Sequence, residues 1–148
     1  MRILALDVGT KNVGVAISDP LGITAQSLPT IRRKGNTEQE IDNLADIAKD
    51  MAVKAIVVGY PRNMNGTEGP SCEMAKDYGE LLGNKVNLPI VYWDERLTSK
   101  MAESAMLEAD MSRKKRRKNV DSLAAILILQ SYLDCLKNHQ SQEVHYDR

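Results

Sequence analysis

The chain has 148 residues, 43% of them hydrophobic and 27% charged, the proportions of one folded domain large enough to bury its own core. Its 20 Lys and Arg balance 20 Asp and Glu, which argues against a strong general attraction to nucleic acid or anionic membrane and leaves room for a local basic patch. No apolar stretch reaches the roughly 18 residues of a membrane span. There is no signal-peptide layout after Met1, and Cys72 and Cys135 lie outside any CxxC pair, so the expected setting is the cytoplasm with both thiols reduced.

Two β-type runs open the chain, residues 3–8 and 13–18, around a turn containing Gly9 and Thr10. A third, weaker strand over 25–32 is interrupted by Pro29 and belongs at a sheet edge. Thr37 and Glu40 fit a capping box ahead of a helical stripe of Ile41, Leu44, Ala45, Ala48 and Met51. Residues 55–59 form a continuous apolar run, as in a central strand covered on both faces. The stretch 60–70 is dense in Gly, Pro and Asn and reads as a loop. A helix over about 71–82 should bury Met74, Ala75, Tyr78, Leu81 and Leu82. The fifth strand, 89–95, ends in two acids. Helices follow over about 99–109 and 120–137, joined by a run of cations, and 138–148 reads as a polar, frayed tail beyond a single domain of residues 1–137. Trp93 reads as core, and both cysteines as buried or half-buried small hydrophobes.

The order βββαβαβαα predicts a fold class. Early strands joined by tight turns pair antiparallel, and the later βα units add parallel strands. The solution is an α/β fold with a mixed five-stranded sheet and helices on both faces. The first strand can then lie centrally beside the fourth. The strand ends carrying Asp7 and Glu95 would open at one edge of the sheet, where ligand sites of such folds lie.

The acids at that edge carry the chemistry. Asp7 ends the first strand, Asp94 and Glu95 end the fifth, and Asp121 falls in the first turn of the last helix. Asp7 also suits a turn, and Asp121 also suits a helix N-terminus, where it complements the dipole. Three acids together, however, repel by on the order of 3 kcal/mol per pair at about 5 Å and an effective dielectric near 20. A cation relieves that repulsion. Oxygen donors without His or Cys favour Mg²⁺ or Mn²⁺, and such ions between carboxylates and a phosphate support phosphodiester hydrolysis. Successive strand residues face opposite ways, so one of Asp94 and Glu95 should face Asp7, unless the strand has already ended.

These residues carry a resemblance. Asp7-Val8-Gly9-Thr10-Lys11 with Gly14-Val15-Ala16, Val58-Gly59-Tyr60-Pro61 with Asn63-Met64-Asn65-Gly66-Thr67-Glu68, Asp94-Glu95-Arg96-Leu97-Thr98, and Lys118-Asn119-Val120-Asp121-Ser122 resemble, in order, the motifs of the YqgF family. It is also called the RuvX or Holliday junction resolvase-like family, and the likeness spans residues 1 to about 136. The resemblance implies an RNase H-like fold and a metal-dependent nuclease that matures the 5′ end of pre-16S rRNA, with junction resolution as an older proposal. It places the family's acids on Asp7, Glu95 and Asp121, as catalytic and metal-holding residues, and so favours Glu95 over Asp94. Arg62 departs from the pattern, where a small or apolar residue is usual. RuvC-type resolvases carry an acid at the end of the fourth strand. Here Gly59 and Tyr60 occupy that place, so the third acid comes from the fifth strand.

Other positions suit a nucleic acid partner, either pre-rRNA, alone or in precursor ribosomal particles, or branched DNA. The 60–70 loop, with Arg62 and Asn63, can offer backbone amides to phosphate. Arg96 can grip a phosphate or pair with Asp94 or Glu95. Lys11 can reach phosphate or stand solvated. The six cations Arg113, Lys114, Lys115, Arg116, Arg117 and Lys118 precede Asp121 and suit phosphate contact, although such runs are commonly solvated. The sequence shows no heptad, so the expectation is a monomer or weak dimer. Two other readings stand beside the nuclease. The opening hairpin is similar to that of the actin, Hsp70 and sugar-kinase ATPases, which need two such domains. An RNA-binding assembly factor could keep the fold without catalysis.

Overall fold

The structure, a computed structural model, describes residues 1–63, 65–97 and 120–146, and of 120, 121 and 139–146 it describes the backbone. The helix expected over 99–109 and the basic run 113–118 lie outside the described residues. Strands β1 (Arg2–Val8), β2 (Asn12–Ser18) and β3 (Ala25–Arg32) precede helix α1 (Thr37–Asp50). Strand β4 (Val53–Tyr60), helix α2 (Pro70–Val86) and strand β5 (Ile90–Asp94) follow. A single 3-10 turn, Glu95–Leu97, leaves β5, and helix α3 covers Val120–Tyr146.

The five strands form one sheet in the order β3-β2-β1-β4-β5. β1 pairs antiparallel with β2, and β2 with β3. β1 pairs parallel with β4, and β4 with β5. This is the mixed sheet expected, with β1 central and the Pro29 strand at an edge. The hairpin between β1 and β2 closes through the Gly9 amide, which donates to Asn12 O at 2.9 Å. A side chain at Gly9 would press on that same carbonyl at 2.9 Å, so the close approach of the backbone requires glycine.

The strand period of two sorts the core into two layers. Leu4, Leu6 and Val8 with Ile56 and Val58 pack under α1 and α2, against Ile41, Leu44, Ala48, Ala75, Tyr78 and Leu82. Ile3, Ala5, Ala16 and Val57 pack under α3, against Ala125, Ile128, Leu129 and Leu133. Each fully buried Leu or Ile stabilises the fold by roughly 1.5–3 kcal/mol, so both helical layers are held mainly by apolar burial. Trp93 joins the second layer as expected, its indole N–H donating to Ser131 Oγ at 3.2 Å and its ring meeting Tyr132 edge-on.

Several local expectations are corrected. The cap of α1 is Asn36, whose side chain accepts from the Gln39 amide. Glu40 therefore does not close a capping box with Thr37. It turns inward, 6% exposed. Helix α2 begins on Pro70, suited to a first helical turn, and runs one turn further than expected, to an Asn87 cap in the left-handed conformation. Leu81 is 52% exposed rather than buried, because the adjacent Leu82 takes the core-facing position of that turn. Strand β5 ends at Asp94, not Glu95. Helix α3 continues past Lys137 to Tyr146, since residues 138–146 contain no Gly or Pro to stop it. Cys72 is buried but Cys135 is exposed, and both are free thiols. No helix among the described residues is long and apolar enough to cross a membrane.

Candidate active site

The site is built from strand parity. Ile3 and Ala5 face α3, so Asp7, the next residue of that parity, lies on the same side of the sheet. It is half-buried. Across the hairpin it is paired with Gly14. On the other side Leu6 is level with Val58, which brings Gly59 level with Asp7. Glycine thus flanks Asp7 in both neighbouring strands.

The space above Gly59 is filled from β5. Val91 and Trp93 face α3, and the same parity carries Glu95 to that side although the strand has given way to a 3-10 turn. A methyl group on Gly59 would lie 3.3 Å from Cγ and Cδ of Glu95, and 2.6 Å from Cδ1 of Ile128. Gly59 is therefore the seat on which the Glu95 side chain rests. Its carboxyl is pushed up to about 7 from an ordinary 4.5, first by burial, then by the negative charges of Asp7 and Asp94. That coupling places Glu95 and Asp7 in one electrostatic environment.

Asp94 faces the opposite way. It binds the guanidinium of Arg96, with Nη2 to Oδ2 at 2.7 Å and Nε to Oδ1 and Oδ2 at 3.1 and 3.0 Å. These hydrogen bonds hold the Asp94 carboxyl below its usual range. The pair of acids that the sequence left open is thus divided, Glu95 toward Asp7 and Asp94 toward Arg96.

Helix α3 brings the third position to the same level. Ser122 donates from Oγ to Leu28 O at 3.1 Å and lies 2.6 Å from Thr30 Oγ1. Leu28 pairs with Val15, and Val15 with Leu6. The first turn of α3, whose second residue is Asp121, therefore starts at the level where β1 ends. The Asp121 side chain is outside the described residues. Among the described residues no three His, Cys, Asp or Glu side chains form a metal-binding group.

The sequence matches the family described as RuvX, Holliday junction resolvase, over residues 1–135. The chain belongs to the RuvX family. Its relatives include a protein of Clostridium botulinum (strain Alaska E43 / Type E3), 54% identical over 134 residues that make up 90% of this chain and 97% of that one. Another, from Listeria monocytogenes serotype 4b (strain CLIP80459), is 53% identical over 135 residues, 90% of this chain and 98% of that one. Both bear the name "Putative pre-16S rRNA nuclease". Among solved structures the chain is similar to RuvC of T. thermophilus in complex with a Holliday junction substrate, with a TM-score of 0.59 at 12% identity, covering 91% of this chain and 96% of that one. It is also similar to the Fowlpox virus resolvase in complex with Holliday junction DNA, with a TM-score of 0.56 at 15% identity, covering 92% and 99%. The fold is RNase H-like, as the motifs implied.

Around the acids of this RuvX chain, the other expected contacts are spread over two sides of the strand ends. Lys11 is exposed in the β1–β2 turn. Arg62 and Asn63 are exposed in the loop after β4. The Arg62 guanidinium lies 5.5 Å from the Tyr60 ring centre, and Asn63 turns the loop by donating to Thr67 O from its amide and accepting from Gly66 N. The Tyr60 hydroxyl donates to Glu68, which pushes it up to about 12. Tyr60, Arg62, Glu68, Lys76, Tyr92 and Asp94 line an open groove on the α2 side. Arg96 is engaged by Asp94, and the six cations 113–118 are outside the described residues.

The sequence carries a signal for the seat of Glu95 in Gly59 itself. A glycine at the end of a buried strand marks a close approach. Gly59→Ala is expected to destabilise the protein by about 1–3 kcal/mol through overpacking against Ile128, read as a lower denaturation midpoint at unchanged slope.

Proposed function

We propose that this chain is a divalent-metal-dependent endonuclease that hydrolyses a phosphodiester bond at the 5′ end of the 16S rRNA precursor in the bacterial cytoplasm. The observation that carries the reading is the approach of two carboxylates, Asp7 and Glu95, on one face of the sheet beside the start of α3. The names of relatives more than 50% identical favour precursor rRNA as substrate.

The donor set fits a hard cation. The side chains brought together are carboxylates, and the Glu95 carboxyl, raised first by burial and then by the negative charges of Asp7 and Asp94, is one whose charged form a positive ion would favour. Asp7, Glu95 and Asp121 would hold Mg²⁺ or Mn²⁺. When bound, the ion supplies Lewis-acid stabilisation of phosphate charge and activation of the attacking water. The chain's own part is orientation. β1 and its hairpin fix Asp7, the open space above Gly59 seats Glu95, and the anchoring of Ser122 fixes the helix turn of Asp121. Lys11, Arg62 and Asn63, exposed beside the strand ends, would hold the substrate backbone together with the cations of the 113–118 run, and such contacts position a strand without reading its bases.

A second reading, cleavage of branched DNA, is favoured by the family's description as a Holliday junction resolvase. One assay separates the two. Precursor 16S rRNA, single-stranded oligonucleotides and four-way junctions are incubated side by side with Mg²⁺, Mn²⁺ or EDTA. Metal-dependent cleavage of the RNA at its 5′ leader is expected. Cleavage of junctions alone replaces the substrate, and no cleavage of any substrate rejects the enzyme.

Substrate affinity should also depend on salt. If about four cations of the 113–118 run touch phosphates of a single strand, the log–log slope is near −3, a loss of nearly a hundredfold between roughly 50 and 200 mM salt. Replacing Lys114, Lys115, Arg116 and Arg117 by Ser should flatten the slope and leave the cleavage position in place. An unchanged slope returns the run to a solvated loop.

A further inference from the structure

A second cluster of buried charge lies on the other side of the β1–β2 turn. The Arg33 side chain is 16% exposed and that of Glu40 is 7% exposed, with Nε and Oε1 at 3.1 Å. Two further donors of Arg33 bind the frame around it. Nη1 donates to Gly9 O at 3.1 Å and Nη2 to Thr37 Oγ1 at 3.1 Å. The Arg33 backbone amide donates to Lys11 O at 2.8 Å. The guanidinium also stands 5.2 Å from the centre of the Tyr78 ring, whose hydroxyl donates to the same Glu40 oxygen at 3.2 Å. The second oxygen, Oε2, is buried without a hydrogen-bond partner among the described residues.

A buried ion pair recovers its desolvation cost only with good geometry, and Glu40 is only half satisfied. As a stabilising device this arrangement is poor. As a device for fixing position it is strong, because one rigid fork joins three elements at once. It ties α1 through Glu40 and Thr37, α2 through Tyr78, and the turn through Gly9. The turn is held from two directions, by the side chain at Gly9 and by the main chain at Lys11. Gly9 is two residues from Asp7.

We propose that Arg33 is a positioning residue for the carboxylate site, fixing the β1–β2 turn, and with it Asp7, through its own hydrogen bonds to Glu40, Thr37 and Gly9. The inference rests on the proposed metal-dependent nuclease for its activity readout only. Arg33 touches no reacting atom. It removes slack from the turn, and a ligand held in place by its supporting hydrogen bonds binds its metal more tightly.

The test uses the full-length chain. Arg33→Lys keeps the positive charge beside Glu40 but cannot reach Glu40, Gly9 and Thr37 together. A neutral replacement is avoided, because it would strand the buried Glu40 charge. Thr37→Ala is the milder second variant, removing one acceptor and leaving the ion pair. Tyr78→Phe is the control, since it removes a hydrogen bond to Glu40 and leaves every contact of Arg33 to the turn. Arg33→Lys should weaken Mn²⁺ binding, read by electron paramagnetic resonance of free Mn²⁺, by about tenfold. Amide exchange at Gly9 should quicken by about tenfold, and kcat should fall with little change in KM. Thr37→Ala should move the same readouts in the same direction by about threefold. Tyr78→Phe should lower the melting temperature and leave Mn²⁺ affinity and Gly9 exchange unchanged.

Wild-type Mn²⁺ affinity and Gly9 exchange in Arg33→Lys and Thr37→Ala overturn the proposal. So does an equal loss of affinity in Tyr78→Phe, which would trace the effect to general loosening. A wild-type chain that neither cleaves nor binds Mn²⁺ rejects the nuclease reading instead, and Gly9 exchange still decides whether Arg33 holds the turn.

Discussion

Asp7→Asn is expected to abolish metal-dependent cleavage while the chain stays folded. Asparagine has the shape of aspartate, and the half-buried position beside Gly14 accommodates it without a change of volume. What is lost is the charge that attracts a hard cation. If the ion supplies about 4 kcal/mol of transition-state stabilisation through this ligand, the rate falls roughly a thousandfold. The fold should not suffer. Removing Asp7 also removes one of the charges that raise the Glu95 carboxyl, so in Asp7→Asn that carboxyl should titrate below about 7 while burial still holds it above 4.5. Single-turnover cleavage of precursor RNA, with a melting curve of the metal-free protein, checks both halves. Wild-type turnover in the folded variant would remove Asp7 from the site. Asp121→Asn should behave alike in cleavage.

Glu95 and Asp94 should part company in both activity and stability. Glu95→Gln is expected to reduce cleavage by a hundredfold or more, on the order of 3 kcal/mol. Asp94→Asn should stay within about tenfold, because it loosens an arginine at the rim and leaves the carboxylates of Asp7 and Glu95 in place. The reverse order would transfer the role to Asp94. Stability should move the other way. The folded Glu95 carboxyl titrates near 7 against 4.5 for an ordinary carboxyl. The folded state therefore holds the extra proton between those values, and stability falls as pH rises through that window. The penalty is absent below about pH 4.5 and complete above about pH 7. Discounted for partial exposure, it amounts to about 1–2 kcal/mol. Glu95→Gln should then raise the melting temperature of the metal-free protein by about 3–6 °C at pH 8, and change it little at pH 4.5. An equal shift at both pH values would show that titration of Glu95 is not its source.

The outline of this protein was legible in order and period. The β-type apolar runs at 3–8 and 13–18, the Pro29 interruption and the apolar run at 55–59 placed four strands correctly, because a strand covered on both faces reads as a short apolar run bounded by turn residues. The acids were legible for a different reason. A carboxylate at the end of a buried run is costly, so Asp7 and Glu95 stand out against their apolar neighbours. Four spaced motifs then identified the family over residues 1–135.

Tertiary structure decided what depended on distant partners. Thr37 and Glu40 have capping-box spacing, yet Asn36 takes the cap because Arg33 and Tyr78 draw Glu40 inward. Leu81 fits the apolar stripe, yet lies outside because Leu82 claims the core. Asp94 and Glu95 are adjacent acids whose difference comes from the end of β5, the grip of Arg96 on one and the seat at Gly59 for the other. A sequence records the period of each element and the cost of each buried charge, both local properties. Which oxygen meets which donor across the sheet is fixed only when strands 50 and 90 residues along the chain pack side by side.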